Sequence, residues 1–468
     1  MQEILQEIFS GLLSNLQAIY GENWQLYFLA AFAIFIVIVG VRFGFRSRLI
    51  HLNDKFVSKL KWKVFELNFP RENLKSPQSM EQVFTSLHGI FSFGLNNVQV
   101  WVTGDVEPWI SFEIVGQAHE VKFYARCQAG HKNVLEAALF SQYPEIEINE
   151  VPDYVESLPP QVPDETYDLF GTDMILARAD AYPIKTYEQF EAPKDERRLD
   201  PIATIAEAAS NLEEDEIILI QLNIRPINDS TNPWKNEGKK IVDKILDRKE
   251  PDKPPGPIAE VGQFFGNLSA AWQKPPEWGQ PKKEKEFKFT VISHGEQEIT
   301  KAIDEKASKI AFETVIRFIY VDRKDSFTGR NISAVMGAFA QYSAGNFNAL
   351  MPNFATLTKG TKVGGRTKKG GKWPWSMFLR KSRLLKRKRL LYQAYKDREM
   401  PRQEHLMPKK LYTGHYHKRG HLYTFTSVLG VHELATIYHP PGEMVVSQKI
   451  GQLPAKKTGP PLGLPIIE

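Results

Sequence analysis

Cysteine is almost absent: Cys127 is the single thiol in 468 residues, which excludes an internal disulfide framework and any zinc or iron-sulfur site built from several thiolates. It lies in the alternating run VKFYARC, where a small residue on a strand is its expected role. A phosphate loop is missing as well. The stretch KVGGRTKKGGKWPW, Lys362 to Trp375, is rich in glycine and cations, but a nucleotide-binding loop needs G-x-x-x-x-G-K-[ST]. Gly365 and Gly370 have that separation, yet Gly371 stands where the lysine belongs. Taking Gly371 and Lys372 as the pair instead puts Arg366 at the first glycine and Trp373 at the hydroxyl position. The zinc-protease signature H-E-x-x-H fails too, because Thr436 occupies the second histidine position after His432-Glu433. His415, His417, His421 and His439 come without a placed carboxylate and read as ordinary surface residues, so no metal site is expected. No nucleophile elbow or paired-carboxylate spacing is present either. The expectation is a protein that is not an enzyme and needs no cofactor.

Lys and Arg are missing from the first 25 residues, which carry only Glu3, Glu7 and Glu22 among charges; a secretory signal would begin with a basic region. Charge of either sign is then missing from Leu26 to Val41, LYFLAAFAIFIVIVGV, sixteen residues long. Trp24 and Tyr27 precede or open this run, and Arg42, Arg46, Arg48, Lys55, Lys59, Lys61 and Lys63 follow it, as an aromatic anchor and a positive-inside signal would. The sequence therefore predicts one transmembrane helix over 25–45, with Trp24, Tyr27 and Arg42 as anchors. It implies a single-pass protein of the inner membrane, with its N-terminus outside and its body cytoplasmic. Residues 1–24 form an expected extracytoplasmic amphipathic tail, with Ile4, Leu5, Ile8, Phe9, Leu12, Leu13, Leu16 and Ile19 at helical spacing.

Beyond Trp62 the period changes. VFELNFP alternates as a strand; MEQVFTSLHGIF after Ser79 has an apolar stripe of Val83, Leu87, Ile90 and Phe91, with Gln82 completing a capping box. VQVWVTG, and the longer WISFEIVG with VKFYARC, read as strands, followed by a helix over Asn133 to Gln142 and a strand at IEINEV. This order is the split βαβ, ferredoxin-like arrangement of an α+β domain, placed at 62–155. A second α+β domain at 156–355 is expected from strand signals at MILARADAY, EIILIQLNI and FETVIRFIYV. Helices over Ile202 to Leu212, Ile299 to Ile310 and Ser333 to Tyr342 go with them. Within it, 248–287 is a Pro-, Lys- and Gly-rich insertion expected to be a mobile loop.

Positive charge is concentrated late: from Lys359 to Arg419 there are twenty Lys and Arg against three acids. Within the basic region 356–468, a helix from Trp373 to Arg398 places Met377, Phe378, Leu384, Leu385, Leu391, Tyr392 and Tyr395 along one side. Arg380, Lys381, Arg383, Lys386, Arg387, Lys388 and Arg389 form its cationic part. Such a helix suits anionic lipid, with lysine stems snorkelling from the apolar seam. It equally suits nucleic-acid phosphates, or burial against an acidic protein surface. Charge alone leaves all three open.

Several stretches together resemble the membrane-anchored N-terminal half of the bacterial type IV coupling ATPases, the hexameric motors of conjugative DNA transfer. They are FELNFPRENLKSPQSMEQVFTSLHGI from Phe65, WISFEIVG from Trp109, QYPEIEINEVPDY from Gln142, YPIKTYEQFE from Tyr182, DPIATIAEAASNL from Asp200, FETVIRFIYV from Phe312, VHELATIYHPPGE from Val431 and GPPLGLP from Gly459. In that family the segment like HELATIYHPPG leads into the motor, and this sequence stops at Glu468. The resemblance thus implies a non-catalytic, membrane-anchored scaffold or coupling subunit, an oligomer within a secretion-like complex. Its implied partners are the membrane, a separate motor ATPase and DNA. The alternative expectation is a membrane-tethered binding module for lipid or nucleic acid.

Overall fold

In a computed structural model, the described residues are 24–70, 75–92, 94–190, 201–229, 232–246, 293–358, 375–401, 415–417 and 420–441. The tail 1–23, the insertion expected at 248–287 and the glycine-rich lead 359–374 lie outside them. The chain divides into two compact units at residues 60–61, 94–95 and 106–107.

The first unit holds the long helix α1 (Trp24–Val57) and a π-helical turn at Gln99–Thr103. Among the described residues no helix is long and apolar enough to cross a membrane, so the expected transmembrane segment and the single-pass inner-membrane placement are not found. The physical reason is length. The apolar run Leu26–Val41, preceded by polar Asn23 and Gln25, is sixteen residues and rises only about 24 Å as a helix, short of the ~30 Å hydrocarbon core. The helix then runs on without a break through Arg42, Arg48, Asp54 and Lys55. The anchor roles of Trp24, Tyr27 and Arg42 fall with it; Arg42 is exposed, and the side chains of Trp24 and Tyr27 lie outside the description. VQVWVTG is also not a strand. Its alternating valines are helical, with Val98 and Val102 exposed one turn apart and Val100 buried between them. Gly104 closes this turn at φ 75°, where an added Cβ would stand 2.5 Å from the backbone of Leu52. Asn53 donates to the Gly104 carbonyl at 2.8 Å.

The second unit is built on one antiparallel sheet. In chain order its elements are β1 (Trp62–Asn68), α2 (Pro77–Leu87), β2 (Ile110–Gln117), β3 (Glu120–Gln128), α3 (Lys132–Gln142) and β4 (Glu147–Val151). They continue with β5 (Tyr167–Leu176), α4 (Tyr187–Phe190), α5 (Pro201–Ser210), β6 (Ile217–Pro226), α6 (Trp234–Ile245), α7 (His294–Ser308), β7 (Ala311–Arg323), α8 (Arg330–Gln341) and β8 (Leu350–Pro352). Last come α9 (Trp375–Lys396), β9 (His415–His417), β10 (Gly420–Thr424), β11 (Ser427–Gly430) and α10 (Val431–Ile437).

The sheet runs β4-β1-β3-β2-β6-β7-β5-β8, with β11 beside the start of β7. The first four strands have the split βαβ order. Read from the other edge, β8-β5-β7-β6 repeats it, with α5 and α8 in the places of α2 and α3. The two halves meet through antiparallel pairing of β2 with β6, in register from Ile110↔Ile224 to Gln117↔Ile217. Where the first half turns at Ala118 and His119, the second inserts α6 and α7 between β6 and β7.

Period-two alternation sends two sets of side chains to opposite faces. Phe65, Phe112, Ile220 and Phe318 pack under Phe84, Leu139, Ile205, Phe339 and Leu434 from the helices of one face. Val64, Val115, Leu219 and Ile319 meet Leu391 and Tyr395 of α9, with Val155, Leu158 and Val162 of the connection after β4, on the other. Central strands covered on both faces become nearly continuous apolar runs, as IILIQLNI of β6 shows. Local signals were shifted in places: α2 starts at Pro77 behind Ser76 with no side-chain cap, so Ser79 and Gln82 lie inside it. The formed capping box is Ser293 with Glu296 at the start of α7.

Candidate nucleic-acid interface

Helix α9 is fixed by its C-terminal end. The last carbonyls of any helix lack internal partners and favour nearby cations, and here the sheet supplies them from one buried polar platform. Arg317 of β7 donates to the Ala394 carbonyl at 2.8 Å and to Asp173 at 2.9 Å. Gln221 of β6 donates to the Tyr395 carbonyl at 3.1 Å, and Arg225 to that of Pro401 at 2.7 Å. Arg398 turns back under the helix in the left-handed region, φ 46°. Its guanidinium meets both oxygens of Glu113 at 2.9 and 3.1 Å and both of Asp153 at 2.6 and 2.8 Å.

Glu113 also accepts from Ser111 at 2.6 Å, Tyr154 at 2.6 Å and Gln221 at 2.9 Å. Burial alone would raise its pKa, but the Arg398 charge and these donors hold it below the usual carboxylate value. Arg398 is likewise held above its ordinary value: burial works against its charge, and Glu113 and Asp153 outweigh that. An unpaired member of such a set would cost several kcal/mol, so the platform specifies where α9 lies.

With that end pinned, the seven predicted cations separate. Lys388 points inward to Asp168 at 2.6 Å. Arg387 donates to the Leu357 carbonyl at 2.9 Å, and burial lowers its pKa. Arg383, Lys386 and Arg389 are exposed at steps of three along one side of the helix. The backbone of Arg380 and Lys381 continues the helix, while their side chains lie outside the description. The apolar seam divides in the same way, since Leu391, Tyr392 and Tyr395 are buried and Leu385 is 40% exposed.

Beside this stripe α9 and the segment Pro159–Gln161 enclose a groove of about 590 Å³. Its walls are Pro160 and Gln161 on one side and Leu385, Lys386, Arg389 and Gln393 on the other. The Tyr392 hydroxyl ties the walls together by donating to the Pro159 carbonyl at 2.7 Å. Gln161, with its amide oxygen toward the helix, accepts from Arg389 Nε at 2.8 Å. Sequence reasoning did not find the groove. Its far wall is more than 200 positions away in sequence, and a Pro-Pro-Gln segment carries no signal of its own.

The late histidines divide as well. His432 and His439 are buried rather than on the surface, at 3% and 6% exposure. The His432 ring packs on Gly430, its Nδ1 has no partner, and burial lowers its pKa to about 3. Glu433 beside it pairs with buried Lys306 at 2.9 Å and accepts from the Gly430 and Ile184 backbones. Side chains of His415, His417 and His421 lie outside the description. Among the described residues no group of three or more His, Cys, Asp or Glu is arranged to hold a metal ion. Cys127 is fully buried on β3, and desolvation pushes its thiol up to about 12, which leaves it unreactive.

No curated protein matches the chain. A family model does match residues 58–356, more than half of the sequence. That span takes in β1 through β8 and stops before α9. The chain therefore belongs to the family described as Domain of unknown function (DUF8128).

Proposed function

We propose that this protein is a non-catalytic scaffold subunit of a type IV secretion-like, conjugative DNA-transfer complex that works beside a separate motor ATPase and holds nucleic acid on helix α9. One observation carries the DNA contact: Arg383, Lys386 and Arg389 project together from a helix whose other end is pinned to the sheet. Three cations at fixed spacing neutralise phosphates without reading bases, which is the sequence-independent kind of binding a transfer scaffold needs. The scaffold role rests on the ordered resemblance of Phe65–Ile90, Trp109–Gly116, Phe312–Val321 and Val431–Glu443 to the non-motor half of coupling ATPases.

The test is fluorescence anisotropy with labelled DNA at low salt. Wild type should bind with a log-log salt slope of about −2 to −3, the release expected for three phosphates. Arg383→Glu, Lys386→Glu and Arg389→Glu together should abolish that binding, while Lys388→Gln, at an inward residue, should leave the slope unchanged. Binding that survives the triple reversal rejects the stripe. Pull-down of the tagged full chain should recover an ATPase carrying a phosphate loop, and its repeated absence rejects the scaffold role.

A further inference from the structure

We propose that the groove beside α9 receives an unpaired nucleobase, so that the ligand of the cationic stripe is single-stranded nucleic acid rather than duplex; this rests on the stripe reading above. A duplex presents only phosphate and sugar to a helix lying on its surface, and the stripe alone would serve it. The groove adds what a duplex cannot use. Its volume, about 590 Å³, is within the ~300–1,000 Å³ of small-molecule sites, enough for a base and its sugar. Its surfaces are chemically split: Leu385 and Pro160 give apolar contact to a ring face, while Gln161, whose oxygen accepts from Arg389, and Gln393, whose nitrogen donates to Asp397 at 3.0 Å, give the lining an amide NH2 and an amide carbonyl.

Lys386 and Arg389 belong to the groove wall and to the stripe at once. A strand whose phosphates follow Arg383, Lys386 and Arg389 therefore passes directly over the opening. The Tyr392 bond to Pro159 ties the walls at a fixed spacing, so the pocket is formed before ligand arrives and little ordering cost is left. Leu385 is the telling residue. It leaves 40% of its surface in water on a helix whose neighbouring positions carry Lys386, Arg387 and Lys388, where a polar residue would serve the fold equally well.

The experiment compares a labelled single-stranded DNA of about 16 nucleotides, the RNA of the same sequence and the corresponding duplex DNA, all against the full chain. Proteins are wild type, Leu385→Ser with Gln393→Ala, and the triple charge reversal. The neutral pair leaves net charge unchanged and alters exposed Leu385 and half-buried Gln393, and an unchanged melting temperature confirms its fold. Wild type should bind at least one single strand about tenfold more tightly than the duplex. The neutral pair should lose about five- to tenfold on that strand alone, bringing it near the duplex value. DNA and RNA arms say which sugar is accepted. Equal charge-dependent binding of single strands and duplex by wild type overturns this inference and leaves the stripe standing. Absence of charge-dependent binding to any of the three rejects the stripe and this inference with it.

Discussion

His432 is neutral because its surroundings give a charged imidazole nothing: burial removes water, and Lys309 and Lys306 lie near, so its pKa falls to about 3. In the unfolded chain it should titrate near its ordinary value of ~6.5. Between those values the unfolded state holds the extra proton, so stability is lost as pH falls through that window. The loss should reach about 3 kcal/mol between pH 7 and 4.5. Denaturant midpoints measured at both pH values should show His432→Leu losing less stability than wild type across that interval. An equal loss would mean the imidazole is solvated. Half-buried His131, also lowered by burial, contributes with the same sign in both proteins and cancels. Glu113, held low, acts only below the ordinary carboxylate range. The sequence shows only that HELAT lacks the second histidine of the H-E-x-x-H signature. It does not show burial, because a histidine in an apolar run looks the same whether its ring faces water or Gly430.

At the scale of elements, close approach is set by one small residue on each side of a contact. An added Cβ on Gly116 of β2 would stand 2.5 Å from the Ala209 Cβ of α5, and Gly116 is held in place by its pairing with Ile218 of β6. Gly116→Ala should therefore destabilise by about 1–3 kcal/mol, and Ala209→Gly in the same chain should recover part of that loss in thermal melts. Additive losses would place the strain elsewhere. Much at this scale was legible: FETVIRFIYV is within β7, DPIATIAEAASNL contains α5, and the 3.6 period of the basic segment gave α9. Two failures have physical causes. Val98, Val100 and Val102 alternate like a strand, but helical geometry also separates them. MILARADAY caught only the end of β5, because the strand's earlier residues, YDLFGTD, carry Asp173 inward to Arg317 and so break the apolar alternation. Which cations of α9 face water was not readable either, since Asp168 and the Leu357 carbonyl that claim Lys388 and Arg387 come from distant chain.

For the molecule as a whole, the α+β pattern was visible, while the pairing of its halves was not. Nothing in the residues of β2 or β6 announces that each is the other's neighbour, and the inserted α6 and α7 hide the equivalence of the halves. The first unit carries a different consequence. Phe32, Phe35, Ile36, Val39 and Phe43 of α1 each expose 48% or more of their surface, a contiguous apolar area beyond what single chains usually show to water. Light scattering of the full chain should report mass that rises with concentration. Phe32→Ser, Ile36→Ser and Phe43→Ser together should lower it, and an unchanged mass distribution would show that this surface is not what associates.

Pairing β2 with β6 spends the two inner rims of the halves on each other, so among the described residues the main path of the sheet ends at β4 and β8. Both ends are blunt. Among the described residues β8 has three residues and closes on Pro352, which has no amide hydrogen to offer. On β4, Glu147 and Glu150 are exposed, and Lys63 and Lys132 gather at Glu150, charges that discourage a further strand. A fibre grown strand by strand thus finds no template at either margin. The longest pairing between the halves has been used once, inside the chain, and is sealed.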